Sequence, residues 1–319
     1  MRLQRGLVKP DLSIVVATYR SPGTLAELVR RIVAIPSWTS DSEILIIDDG
    51  NLDETWEVIQ RLSTEYKVVR GFKLQQNVGQ HAALLCGIRH AQNELIVTID
   101  DDLQNPPEEI EKLLRTLDAS VDLVVGVPKF AAHSFIRRLT SRWSKAVLAR
   151  SMGFKNASLI SPFRLFRTQL RGAFGSQLGK HISIDALLSL STNRCASVEV
   201  AHETRKEGQS GYSLRKLIDF FLTTSTSASV VPLQIASRLG FLALVVSFGL
   251  LTVTLGRRLL FGSVITGFPY LASLIAGTSG VQLLLLGLLG QYIGHMHFRL
   301  IGVPSYVVLE STDEGDSVN

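Results

Sequence analysis

Short runs of aliphatic and β-branched residues alternate with amphipathic stretches along the first two thirds of the chain. Leu12–Ala17, Glu43–Ile47, Val68–Leu74, Leu95–Ile99 and Leu123–Val127 read as buried strands. Between them lie stretches with the three-to-four-residue spacing of surface helices: Thr24–Ile35 behind Pro22, Glu54–Tyr66 with Asp53 as N-cap, the segment from Gln80 to Ala91, and Glu108–Ala119. Such alternation implies parallel strands joined by right-handed crossovers, so the expected fold class is α/β, a doubly wound, mostly parallel, Rossmann-like sheet.

Farther along, 135–152 reads as a basic helix, Phe163–Phe166 and Ser197–Ala201 as short strands, and Ser183–Leu190 as a helix. From Leu239 the pattern changes. Leu239–Leu255 and Phe268–Ile293 are nearly free of charge, and each reaches the length needed to span a bilayer. The short connection Gly256–Gly267 makes them a transmembrane hairpin, and Ser213–Val231 reads as interfacial helices on the membrane surface. Arg215, Lys216, Arg238 and Arg299 fit a cytoplasmic flank, whereas Arg257 and Arg258 in the hairpin loop oppose the positive-inside rule. A last strand, Tyr306–Leu309, precedes an acidic tail. The expected organisation is a catalytic unit over 1–212, a juxtamembrane segment over 213–235, a hairpin over 236–296 and a C-terminal strand and tail over 297–319.

Composition narrows the function. The 319 residues carry a net charge of +5, but the basic residues are scattered without aromatic interleaving, which argues against nucleic acid as partner. Cys86 and Cys195 lack metal-ligand spacing and imply a reducing compartment. The N-terminal stretch MRLQRGLVKPDLS has no apolar core, so no cleavable signal is expected. Neither a P-loop, a GxGxxG turn nor a GxSxG elbow occurs.

Candidate chemistry sits where strands end in acids. Leu95–Ile99 stops at Asp100, Asp101 and Asp102, and Glu43–Ile47 stops at Asp48 and Asp49. Open α/β sheets bind ligands at the carboxyl ends of their strands. Strand alternation would aim Asp100 and Asp102 at one site and Asp101 elsewhere. Converging carboxylates call for a hard divalent cation, Mg²⁺ or Mn²⁺, which would take one or two acids plus substrate phosphates. A solvated acidic turn capping the next helix is the plain structural alternative. The Gly-containing basic loop from His202 to Tyr212, with Arg205 as a bidentate donor, suits phosphate. Arg164 is a second cation for that task, and Asp185 is a lone acid on its helix.

The ordered segments DDGNLDET (Asp48–Thr55), NVGQHAALLCGI (Asn77–Ile88), TIDDDLQNPPEEI (Thr98–Ile110), HETRKEGQSGYSLRKL (His202–Leu217), PLQ (Pro232–Gln234) and GQYIGHMHFRLIGVPSYVV (Gly290–Val308) resemble the polyisoprenyl-phosphate branch of the family 2 glycosyltransferases. That branch has a GT-A fold and includes dolichol-phosphate mannose synthase and bacterial undecaprenyl-phosphate sugar transferases. The resemblance implies an inverting transfer from a nucleotide sugar, UDP-linked, to a polyprenyl phosphate such as undecaprenyl phosphate. It implies a multi-pass protein of the inner (cytoplasmic) membrane, with the catalytic domain and both termini cytoplasmic.

Position by position, the resemblance makes Asp48 and Asp49 contacts to the nucleotide base and Asp100 and Asp102 the DxD metal pair. Thr18, Tyr19, Gly79, Asp101 and Gln104 complete the donor side. Arg205, Lys206, Ser210 and Tyr212, with Arg164, would hold the donor and acceptor phosphates, and Asp102, Arg205 and Asp185 would be the catalytic set. Departures from the family pattern are Ala17-Thr18-Tyr19-Arg20-Ser21 after the first strand, Asn51 for serine, His202 for arginine, and Val127-Pro128-Lys129. A family 2 transferase acting on a saccharide or glycolipid hydroxyl, and a non-catalytic membrane scaffold, are the competing readings. The pattern leaves the sugar, the metal and homo-oligomerisation open.

Overall fold

The computed structural model describes residues 10–128, 161–174, 183–203, 267–300 and 304–313, with scattered positions between 240 and 260. The expected helix over 135–152, the loop residues Arg205, Lys206, Ser210 and Tyr212, and the interfacial segment lie outside the described residues, as does most of the first hairpin arm.

Eight strands form one sheet. They are β1 (Leu12–Thr18), β2 (Glu43–Asp48), β3 (Val69–Leu74), β4 (Leu95–Asp100), β5 (Leu123–Pro128), β6 (Arg164–Arg167), β7 (Cys195–Val200) and β8 (Val308–Ser311), in the order β7-β5-β6-β4-β1-β2-β3-β8. The pairs β4–β1, β1–β2, β2–β3 and β5–β7 are parallel, while β6 runs antiparallel to β4 and β5, and β8 antiparallel to β3. The mostly parallel expectation therefore holds at the centre, and the sheet is mixed at its short strands.

Helices cover both faces because alternate residues of each central strand are apolar on opposite sides. Leu12, Ile14 and Val16 pack with Leu25 and Leu28 of α1 (Pro22–Val33), Trp56 and Ile59 of α2 (Thr55–Glu65) and Leu113 of α4 (Ile110–Thr116). Val15 and Ala17 pack with Leu84 and Ile88 of α3 (Gln80–His90) and Ile184 and Leu188 of α5 (Ile184–Ser191). Burying a leucine or isoleucine side chain stabilises by about 1.5–3 kcal/mol, so these two layers fix the register that positions the site.

Three boundaries differ from the pattern. Asp53 accepts from Thr55 N (3.1 Å) and Oγ1 (2.5 Å), but α2 begins one residue later than a simple N-cap would have it. Glu108–Ala119 splits into a 3-10 turn, Pro107–Glu109, and the short α4, which stops before Asp118 folds back to accept from Ser120 N and Oγ, each at 2.6 Å. The last strand begins at Val308, after a register shift between Lys73 and Leu74.

The helix α6 (Phe268–Leu300) contains the expected second hairpin arm and runs for 33 residues. An added Cβ on Gly240 would lie 3.6 Å from Leu285, so the chain at the start of the first arm passes beside α6. Leu271, Ile275, Leu283, Leu286, Ile293 and Met296 are exposed. Polar Thr278, Gln282 and Gln291 interrupt the apolar run, and among the described residues no helix is long and apolar enough to cross a membrane.

Candidate active site

In-phase pairing aligns the ends of the three central strands. Ala17 lies opposite both Ile47 and Asp100, and Thr18 opposite Asp48, so the connections leaving β1, β2 and β4 meet at one rim. The chain runs outward from β1 through β2 to β3 and then returns to place β4 on the other side of β1, which is the topological switch point where such sheets bind ligands. A cavity of about 320 Å³ opens there, lined by Ala17, Thr18, Tyr19, Ser21, Asp49, Gln80, Asp100, Asp101 and Asp102.

Asp48 is fully buried. Its Oδ1 accepts from Asn51 N (3.0 Å) and Nδ2 (2.6 Å), while Oδ2 has no partner among the described residues. Burial raises its pKa, against the Asn51 hydrogen bonds and the positive field of Lys73. The turn it closes contains Gly50 at φ +67°, where a Cβ would strike the Gln76 backbone at 2.3 Å. Asn51, one of the departures, ties this turn to the β1–α1 loop: its Oδ1 accepts from Arg20 N (3.2 Å), the residue of that loop at φ +57°.

Asp49 accepts from Val78 N (2.8 Å) through one oxygen and from Gly79 N (3.0 Å) through the other. It thereby fixes the entry to α3, and Gly79 at φ +91° turns the chain into the helix. Burial pushes Asp49 up to about 6, with those two N–H groups pulling the other way. In the structure Asp49 is thus a loop anchor that also faces the cavity.

The three acids at the end of β4 are crowded together. Burial, and then the charges of Asp102 and Asp101, push Asp100 up to about 7, while Arg164 and Gln80 oppose the shift. Gln80, which sequence reasoning did not single out, donates Nε2–H to Asp100 Oδ1 at 2.5 Å. Asp101 does not point elsewhere. Strand alternation ends at Asp100, the chain turns with Leu103 at φ +58°, and all three aspartates line the cavity. Burial raises Asp101 as well, against the neighbouring hydroxyls of Thr18 and Ser21 and the backbone of Tyr19. Asp102 Oδ1 accepts from Gln104 N (3.0 Å), and the Gln104 carbonyl accepts from Glu203 N (2.8 Å), so Gln104 contributes its backbone and links the acidic turn to the root of the basic loop.

Arg164 corrects an expectation. It was to reach a phosphate, but it is only 2% exposed; its Nε donates to Thr98 Oγ1 (3.1 Å) and its NH1 to Asp185 Oδ1 (2.7 Å). Asp185, on the first turn of α5, is buried in the same pair. His81 Nδ1 accepts from Ile184 N at 3.4 Å, and burial lowers the His81 pKa. Arg164 and Asp185 form an internal prop behind Asp100, built from residues 21 positions apart.

The mutual repulsion of Asp100, Asp101 and Asp102 fits a divalent cation at Asp100 and Asp102, since a cation is what would let both remain ionised. Among the described residues no group of three or more His, Cys, Asp or Glu side chains is placed to hold a metal, so a substrate phosphate would have to complete the shell.

The model of glycosyl transferase family 2 matches residues 13–172, half of the chain, and the protein belongs to that family. Among solved structures, mannosyl-3-phosphoglycerate synthase from Rubrobacter xylanophilus is similar at 16% identity and a TM-score of 0.51, over 72% of this chain and 75% of that one. A mycobacterial protein matches at 15% identity and 0.51, over 68% of this chain and 73% of that one. Glucosyl-3-phosphoglycerate synthase from Mycobacterium tuberculosis, solved with Mn²⁺, UDP-glucose and phosphoglyceric acid, matches at 17% identity and 0.49, over 68% and 80%. At these identities the two stronger likenesses concern the fold, a mixed α/β sheet of the GT-A kind.

Proposed function

We propose that the protein transfers a sugar from a UDP-linked donor to a polyprenyl phosphate at the cytoplasmic face of the membrane, with inversion at the anomeric carbon. The observation that carries the donor half is the crowd of aspartates around the switch-point cavity, with Asp100 held near 7. Asp48, with Oδ2 buried and unpartnered among the described residues, would accept from the base, and Tyr19 and Thr18 would flank it. Asp100 and Asp102 would hold Mg²⁺ or Mn²⁺, which when bound neutralises charge on the departing diphosphate.

The acceptor half rests on the state of Asp185. A hydroxyl acceptor needs a base within reach of it, and Asp185 is buried, held by Arg164 at 2.7 Å, and not among the residues that line the cavity. A phosphate acceptor is already ionised. Its oxygen forms the bond to the anomeric carbon as the bond from that carbon to the diphosphate oxygen breaks, and no proton has to move. Arg205, Lys206, Ser210 and Tyr212 would bring the two like-charged phosphates together. Exposed leucines along α6 support a lipid-facing C-terminal region, and the hairpin over 236–296 belongs to this proposal.

The test is an assay of the full chain in membranes with a panel of labelled nucleotide sugars, Mn²⁺, and three acceptors: short-chain polyprenyl phosphate, a saccharide, and phosphoglyceric acid. The expected product is a mild-acid-labile lipid-linked sugar. Transfer only to the saccharide or to phosphoglyceric acid would overturn the acceptor assignment.

A further inference from the structure

The C-terminal strand does more than cover an edge. In register across three neighbouring strands stand Asp48 on β2, Lys73 on β3 and Glu310 on β8: Asp48 lies opposite Lys73, and Lys73 opposite Glu310. Directly opposed residues share a face of the sheet, so the three form an acid–base–acid row that begins one residue before the cavity-lining Asp49. Lys73 Nζ pairs with Glu310 Oε1 at 3.5 Å, and its ion pairs include none to Asp48. Glu310 is itself fixed, because Trp56 Nε1 donates to its Oε2 at 2.8 Å. Around this row β8 is held by Thr312, whose Oγ1 accepts from Gly71 N (2.8 Å), and by Val307 O, which accepts from Gln75 N (2.9 Å).

We propose that Glu310 is a positioning residue of the donor site: it draws the Lys73 ammonium toward β8 and so leaves the buried Asp48 Oδ2 free to accept from the nucleobase. Without the Glu310 charge, the carboxylate in register with Lys73 on its other side is Asp48, and Lys73 would turn to it and compete with the ligand. The C-terminal strand, which follows α6 in the chain, thereby controls how well the cytoplasmic sheet binds nucleotide. This inference rests on the reading of Asp48 as a base contact.

The experiment measures UDP binding in the presence of Mn²⁺ by calorimetry, using the full chain in detergent. Glu310→Gln keeps an acceptor for Trp56 and removes only the charge. Its UDP affinity is expected to fall about tenfold, which corresponds to ~1.4 kcal/mol, with an unchanged melting temperature. Adding Lys73→Met to that variant should restore affinity to within about twofold, a rescue that mere support of the strand would not give. Unaltered binding in Glu310→Gln, or no rescue by Lys73→Met, would overturn the proposal. Asp48→Asn separates the two readings: if it too binds UDP normally, the assignment of Asp48 to the base fails, whereas if it loses binding while Glu310→Gln does not, only the role of Glu310 fails.

Discussion

The two rims of the sheet both collect acids, and they treat them in opposite ways. At the amino-terminal rim Glu43 is buried with every need met: Oε1 accepts from Ser13 Oγ and Gln92 N, each at 2.6 Å, and Oε2 takes Arg70 NH1 at 2.6 Å. Arg70 in turn donates to Asp313 through Nε and NH2, closing the rim with the C-terminal tail. At the carboxyl-terminal rim Asp49, Asp100, Asp101 and Asp102 share one cavity with Asp48 buried next to it, and four of the five are pushed up by burial. A buried carboxylate with donors on all sides is structure. Carboxylates buried against one another hold a place for a cation and a ligand.

The sharpest way to break the contrast is to remove the acid best placed to hold the cation. Asp102→Asn should lower turnover by roughly 10²–10³-fold, the range for loss of a group that stabilises developing charge. The fold should be intact by circular dichroism, because the Asn side-chain oxygen can still accept from Gln104 N. Near-normal turnover with Mn²⁺ present would sink the metal assignment.

At the satisfied rim the same isosteric change should hurt stability instead. Glu43→Gln places an amide NH₂ against donors that now face oxygen: Arg70, or the pair Ser13 and Gln92. The cost should be about 2–3 kcal/mol in a urea titration. A loss under about 0.5 kcal/mol would show that this network contributes little.

Much of this division was legible in the chain and some was not. Strands that end in Asp48-Asp49 and Asp100–Asp102 announce the ligand rim, since parallel crossovers bring successive strand ends to the same side. The pairing of Arg164 with Asp185 was hidden, because β6 enters antiparallel between β4 and β5 and nothing local encodes that insertion. Gln80 sat inside a quoted motif, yet its role depends on the distance from α3 to the end of β4. Arg70 and Asp313 are 243 positions apart, and only the antiparallel return of β8 joins them. Asp101 was misjudged because period-two logic stops where the strand stops.

Proton linkage gives a smaller effect with a defined sign. Asp100 holds its proton up to about pH 7 through burial and the neighbouring Asp102 and Asp101, so below that pH a cation must displace the proton. Mn²⁺ affinity of the nucleotide-free protein should fall with decreasing pH, approaching a factor of about ten per unit below 7, and should level off above it. Calorimetry in buffers of different ionisation enthalpy should show about one proton released near pH 6 and close to none at pH 8. A pH-independent affinity across this window would mean that Asp100 is not where the cation binds.

A change in stability at the same residue is the most diagnostic, because it runs against the usual direction of mutation. A carboxylate whose folded pKa is raised contributes stability that is fully present below its unfolded value and is lost as pH rises through the folded value. For Asp100 that window runs from the ordinary 3.8 to about 7. Asparagine mimics the protonated form at every pH and keeps an oxygen for Gln80 Nε2. Asp100→Asn should therefore match the wild type near pH 4, gain on it as pH rises, and be the more stable of the two at pH 8, the sign expected where function is maintained against stability. Adding Mn²⁺ and UDP should reverse the order, since the wild type then gains binding free energy that the variant has lost. If thermal unfolding at pH 8 finds Asp100→Asn less stable than the wild type without ligand, the crowding at this rim is compensated within the protein, and the two rims are not opposites after all.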